Sequence, residues 1–146
     1  MLLAIDPGTD CGWSLFVETR LVACGLGDPR HSTAHRVKDI ERVVIERPFV
    51  YPKSPVDPND IIALALKAGE WAGHYRSWSE IVYVFPWQWK GSVPKPIHHQ
   101  RIRAKLSEQE LKVLRLAKRD TLHAVQKSKV HNVVDAIGLG LFGVGR

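Results

Sequence analysis

The chain has 146 residues, 45% hydrophobic and 25% charged, a balance that predicts one folded domain over residues 1–146 and excludes a disordered chain. Met1 to Ile5 lacks the basic flank and the length of a secretory signal, and no apolar run approaches the roughly 18 residues of a membrane span, so a cytoplasmic protein with no membrane partner is expected. The net charge of +6 is unevenly placed: residues 1–89 hold nine Lys/Arg against eleven Asp/Glu, whereas residues 90–129 hold eleven against three. A basic block beside an acidic segment suits a protein that holds a polyanion while reserving a site for cations.

In chain order, Leu2–Ile5, Trp13–Glu18 and Leu21–Gly25 are short apolar and aromatic runs separated by Gly, Asp and Thr turn signals, which predicts three strands in a meander. His31–Glu41 predicts one short polar helix, and Arg42–Ile45 a buried strand. Pro48, Pro52, Pro55 and Pro58 make Phe49–Asn59 an exposed loop. From Asp60 to about Tyr75 the pattern is helical, with Asp57 or Asn59 as its cap. Its apolar residues cover more than one side, so it either meets a second subunit or is fully internal.

Ile81–Phe85 predicts a fifth strand and Trp87–Pro96 a loop. Ile97–Leu106 and Ser107–His123 predict two basic helices, the second opened by the capping box Ser107 and Glu110. Val133–Val144 predicts a last helix whose Gly138, Gly140 and Gly143 imply close approach to the sheet. Cys11 and Cys24 lack metal-type spacing and are expected to stay reduced.

Three acids are embedded in apolar sequence. Asp6 ends the first strand before Pro7-Gly8, Glu46 ends the fourth, and Asp135 sits in the apolar C-terminal stretch. Singly, each fits a turn, an ion pair or a cap. Together they would repel one another without cations. Oxygen ligands of this kind suit Mg²⁺ or Mn²⁺, and two ions about 4 Å apart activate water and stabilise a leaving oxygen in phosphoryl displacement. On the last helix His131 and Asn132 lie four and three residues before Asp135, so either can supply a fourth ligand, and His131 can instead handle a proton.

The ordered set resembles a known family. Ile5-Asp6-Pro7-Gly8 with Gly12-Trp13, Ile45-Glu46 followed by Phe49, and Val133-Val134-Asp135-Ala136 resemble the motifs of the RuvC-type Holliday junction resolvases, in their compact bacteriophage-like form. The resemblance implies an α/β, ribonuclease H-like fold with a five-stranded mixed sheet flanked by helices. It implies Asp6, Glu46 and Asp135 as metal ligands for two Mg²⁺ ions, Phe49 stacking near the crossover, and a homodimer nicking four-way DNA symmetrically without a nucleotide cofactor. Asn132 stands where the family commonly has Asp or His. Trp89-Lys90-Gly91 and Lys95 resemble its basic DNA-contacting segment. Arg47, Lys90, Lys95, Arg101, Arg103 and Lys105 are the candidate DNA contacts. Trp87 and Trp89 read as core or interface residues, and His98 and His99 receive no role. A broader branched-DNA or RNA-hybrid nuclease and a non-catalytic junction binder are the rival expectations.

Overall fold

The computed structural model describes residues 1–33, 38–53, 55–117 and 129–146. Strands β1 (Leu2–Asp6), β2 (Gly12–Val17) and β3 (Arg20–Leu26) come first, then helix α1 (Pro29–Thr33), β4 (Arg42–Glu46), α2 (Pro58–Tyr75) and β5 (Glu80–Val84). Four helices complete the series: α3 (Pro86–Trp89), α4 (Lys95–Ala104), α5 (Glu108–Ala117) and α6 (Val130–Gly143). The sheet has the order β3-β2-β1-β4-β5. Pairing is antiparallel from β1 through β3 and parallel between β1, β4 and β5. This is the mixed five-stranded α/β sheet expected.

Strand alternation sorts the core into two halves. Leu2, Ala4, Phe16, Val44 and Val84 face α6, meeting Val134, Ile137, Leu139 and Leu141. Leu3, Ile5, Leu15, Val43 and Ile45 face the other way, onto Ala68, Trp71, Ala72 and Tyr75 of α2. Those four helical residues recur at i, i+3, i+4 and i+7, one stripe of a helix, and the fully buried Trp71 and Tyr75 anchor it. Burying a large apolar side chain stabilises by about 1.5–3 kcal/mol, so these rings hold α2 against β4. Cys11 and Cys24 belong to opposite halves of the core, which keeps their thiols apart.

Helix α6 lies across β1 and β2, and side-chain size permits it. A Cβ on Gly12 would stand 2.1 Å from the Asn132 carbonyl oxygen, and one on Gly140 would stand 2.3 Å from the Phe16 ring. The buried Ser14 hydroxyl, on the α6 side of β2, donates to the Ala136 carbonyl at 2.7 Å. That bond fixes the helix along its axis.

Several boundaries differ from the sequence expectation. Asp57 caps α2, accepting from the Asn59 amide at 2.8 Å, and Pro58 takes the first helical position, so the helix begins two residues before Asp60. Ile62 and Leu66 are 55% and 72% exposed, so α2 is not an internal helix. The segment expected as a loop from Trp87 begins with a one-turn helix, α3, because Pro86 opens it and the Gln88 side-chain oxygen accepts the Phe85 amide at 2.7 Å. Of the helix expected over His31–Glu41, α1 covers only its start, and residues 34–37 lie outside the described residues. The second basic helix is α5 to Ala117; residues 118–128 of that expectation also lie outside them. Helix α6 begins at Val130, three residues earlier than the Val133 start, and its first turn includes His131 and Asn132 as their spacing from Asp135 required.

Candidate active site

Because β1 and β4 are parallel neighbours with Ile5 beside Ile45, Asp6 and Glu46 end adjacent strands at the same edge of the sheet. Alternation places both on the side of Ala4 and Val44, beneath α6. Asp135, 5% exposed, comes down onto that edge from α6. The Asp6 carboxyl is held well above the ordinary range by desolvation, then by the negative charges of Glu46 and Asp135, with Lys90 and Lys95 opposing. Among the described residues the Asp6 carboxylate makes no direct hydrogen bond or ion pair. It is the uncompensated acid of the three.

The other two are each gripped by one ring nitrogen and one ammonium. Glu46 Oε2 accepts from Trp89 Nε1 at 2.7 Å and from Lys90 Nζ at 2.9 Å. Asp135 Oδ1 meets His99 Nε2 at 2.7 Å, and its Oδ2 meets Lys95 Nζ at 2.7 Å. Burial works against the Lys90 ammonium, but the charge and hydrogen bonds of Glu46, with Asp6 and Asp135 behind, raise its pKa. Two ammonium groups thus stand against three carboxylates. No group of three His, Cys, Asp or Glu side chains among the described residues is arranged to hold a metal ion. The donor chemistry itself, three clustered carboxylates with one left bare, fits a hard divalent cation.

The remaining candidates divide. Asn132 Nδ2 donates to the Asp10 carbonyl at 3.0 Å, and Lys129 Nζ pairs with the Asp10 carboxylate at 2.7 Å, so both tie the start of α6 to the β1–β2 turn. His131 is exposed. The Arg47 guanidinium lies 4.6 Å over the Phe85 ring. Phe49 meets Tyr51, Phe85 and Trp87 edge-on at 5.0–6.0 Å, and Phe85 stacks on Trp87 at 4.2 Å. The exposed rings of Phe49, Tyr51 and Trp87, with the half-buried Phe85, form a platform following Glu46.

Two cavities sharing Lys90, Val93 and His98 make a trough leading away from the acids. The first, about 280 Å³, includes Lys95 and Asp135; the second, about 320 Å³, includes Arg101 and Lys105. Arg103 is exposed but lines neither, since it falls on another side of α4.

Sequence reasoning missed His99 and the site contact of Trp89. A signal for His99 existed: it follows Lys95 by four residues on one helix, so both reach the same Asp135. Nothing local points Trp89 at Glu46.

Solved structures give the comparison that bears on the fold. A Thermus thermophilus RuvC structure, in complex with Holliday junction substrate, superposes with a TM-score of 0.54 at 18% identity, covering 96% of this chain and 89% of that one. The chain has the ribonuclease H-like fold. A second Thermus thermophilus RuvC structure gives a TM-score of 0.42 at 18% identity over 96% and 90% of the two chains, too loose a fit to argue from. No family model matches the sequence, and no curated protein does. Among the described residues no helix is long and apolar enough to cross a membrane.

Proposed function

We propose that this chain is a metal-dependent endonuclease that resolves four-way DNA junctions by paired symmetric nicks. The observation that carries the reading is the convergence of Asp6, Glu46 and Asp135 at one sheet edge beneath α6, on a fold shared with a protein seen in complex with Holliday junction substrate. Asp6, Glu46 and Asp135 hold the metal. A fourth donor comes from the first turn of α6, either His131 or the Asn132 side-chain oxygen, which stays available while the amide nitrogen serves Asp10. Bound Mg²⁺, two ions per site with Mn²⁺ able to substitute, supplies the charge that activates water and stabilises the leaving oxygen, giving a 5′-phosphate and a 3′-hydroxyl.

The protein's own groups bind and orient the DNA. Lys90 and Lys95, at the rim of the acids, hold the phosphates flanking the cut. Arg101 and Lys105 continue that path along the trough, and Arg103 and Arg47 add charge beside it. Phe49, the centre of the aromatic platform, takes an unstacked base near the crossover. These phosphate contacts position the substrate without reading its sequence.

A two-fold junction calls for a two-fold enzyme, and α2 offers the surface for a second copy. Ile62 and Leu66 stand exposed beside Ala65, Gly69 and Gly73, also exposed, with open space where Cβ atoms at the two glycines would lie. Small residues spaced by four let two helices approach closely while the flanking apolar side chains are buried.

The test is cleavage of a labelled four-way junction beside matched linear duplex, flap and RNA-hybrid substrates, in EDTA, Mg²⁺ and Mn²⁺. Paired metal-dependent nicks in the junction alone support resolution. Cutting of every branched or hybrid substrate makes the protein a broader nuclease. Junction binding without cutting in any metal favours a second reading, a non-catalytic junction binder, consistent with the lysines seated on Glu46 and Asp135.

A further inference from the structure

We infer that Trp89 and His99 are positioning residues for the two flanking acids, and that together they set the orientation in which Glu46 and Asp135 face a cation. The inference rests on the nuclease reading above and names residues that reading does not use. Both contacts are 2.7 Å, from a ring nitrogen to a carboxylate oxygen. A carboxylate only accepts, so His99 Nε2 carries the proton in that bond, as the indole nitrogen always does.

Each ring is itself held. His99 is 8% exposed on α4. Trp89 packs against α6 at Gly138, where a Cβ would stand 2.7 Å from its ring, and the His98 ring meets it in an edge-type contact at 5.1 Å. Gly138 lies one helical turn beyond Asp135. The indole therefore touches the helix that carries Asp135 while its N–H grips Glu46 on β4, so its breadth sets the gap between the two acids. His99 holds the Asp135 side chain from α4, which packs beside Trp89 on the same side of α6.

The two rings differ from the lysines in what happens when a cation enters. Lys90 and Lys95 are the partners a divalent ion displaces, because they occupy the carboxylates with the same sign of charge. A ring N–H takes one oxygen, orients the carboxylate and leaves the other oxygen's lone pairs to the ion. Outer partners of this kind typically change metal affinity or activity by about 10–100-fold when removed.

The test uses the full chain. Mn²⁺ affinity is measured by electron paramagnetic resonance without DNA for the wild type, Trp89→Phe, His99→Leu and His99→Gln, with junction kinetics in parallel and circular dichroism to verify folding. Phenylalanine is narrower than the indole and has no donor, so it withdraws both the N–H to Glu46 and the outer-ring contact at Gly138. Leucine fills the histidine site without a donor, whereas glutamine presents an N–H at comparable reach. Trp89→Phe and His99→Leu should each weaken Mn²⁺ binding by about 10–100-fold and lower kcat by a similar factor, with junction KM little changed. His99→Gln should recover most of both. Unchanged Mn²⁺ affinity in folded Trp89→Phe and His99→Leu overturns the inference, and so does His99→Gln failing as badly as His99→Leu, which would make the role one of shape. In a metal-free protein the Trp89 indole proton, identified by its loss in Trp89→Phe, should resonate downfield and move on Glu46→Ala; no movement also counts against it. A wild type that cuts no DNA yet shows the graded affinities refutes the nuclease reading and leaves the positioning roles standing, while one that binds no Mn²⁺ removes both.

Discussion

Replacing Glu110 with Gln should cost about 3 kcal/mol of folding stability at pH 7, and the cost should vanish in acid. Glu110, on α5, is only 2% exposed, yet it is ringed by donors. The Leu21 amide of β3 reaches Oε1 at 2.9 Å, the Ser107 amide reaches Oε2 at 2.8 Å, and Arg146 reaches the two oxygens at 2.6 and 3.1 Å. Burial pushes the carboxyl up, but the hydrogen bonds from Arg146, Leu21 and Ser107 outweigh it and hold the pKa at about 2 against an ordinary 4.5. Each unit of that difference is worth about 1.4 kcal/mol, which gives the figure above. A lowered carboxyl pKa contributes stability that is complete above pH 4.5 and is lost as the pH falls toward 2. Urea unfolding followed by tryptophan fluorescence, at several pH values between 7 and 2.5, measures the gap between wild type and Glu110→Gln directly. A gap of the same size at pH 7 and pH 2.5 would refute the charge-based reasoning and leave only a packing defect. The clamp also reaches the site's scaffold, since Arg146 Nη2 donates to the Lys105 carbonyl at 2.6 Å just past the end of α4.

Asp6→Asn should abolish cleavage while sparing junction binding, and it should raise the melting temperature of the metal-free protein. The sign follows from a carboxyl whose pKa is raised in the fold: its ionised form is disfavoured there by desolvation and by Glu46 and Asp135, so a neutral isostere relieves that repulsion at neutral pH. Loss of binding together with cleavage would point to a structural role instead. Exchanging Arg101 and Lys105 for Gln should lower the slope of log affinity against log salt by about 2 for duplex arms, close to 0.9 for each phosphate no longer neutralised, whereas Arg103→Gln, outside the trough, should change it less. Fluorescence anisotropy across a salt series reads both, and equal effects from all three positions would mean a diffuse charge rather than a track. Leu66→Glu should shift sedimentation from dimer to monomer and abolish paired nicking; an unchanged dimer would place the interface elsewhere than α2.

The fold was legible in the sequence because its signals are local. Five apolar runs bounded by Gly, Pro, Asp and Thr became β1 to β5, and the helical pattern up to Tyr75 became α2, although only the structure showed that Ala68, Trp71, Ala72 and Tyr75 are its buried side. The placement of Asp6 and Glu46 at strand ends was equally readable, since alternation and strand length act within a few residues. The capping box at Ser107 and Glu110 is present, with the Glu110 amide donating to the Ser107 hydroxyl at 3.3 Å. Its local reading hid the larger role of Glu110, whose other partners lie 89 residues before it and 36 after it.

The partners of the acids belong to the same long-range class. His99 and Asp135 are 36 residues apart, Trp89 and Glu46 are 43 apart, and Ser14 reaches Ala136 across 122. Sequence by itself determined the five strands and the longer helices to within a few residues, that Asp6 and Glu46 end strands, and that a basic stretch follows those two acids. Tertiary structure alone decided that Trp89 faces Glu46, that His99 and Lys95 share Asp135, and that Asp6 is left bare. The reason is geometric: periodicity sets which side of an element a residue occupies, but side chains meet only where docked elements bring them within hydrogen-bond reach. Here that docking depends on Gly12, Gly138 and Gly140 letting α6 settle against the sheet and its bracket of α3 and α4.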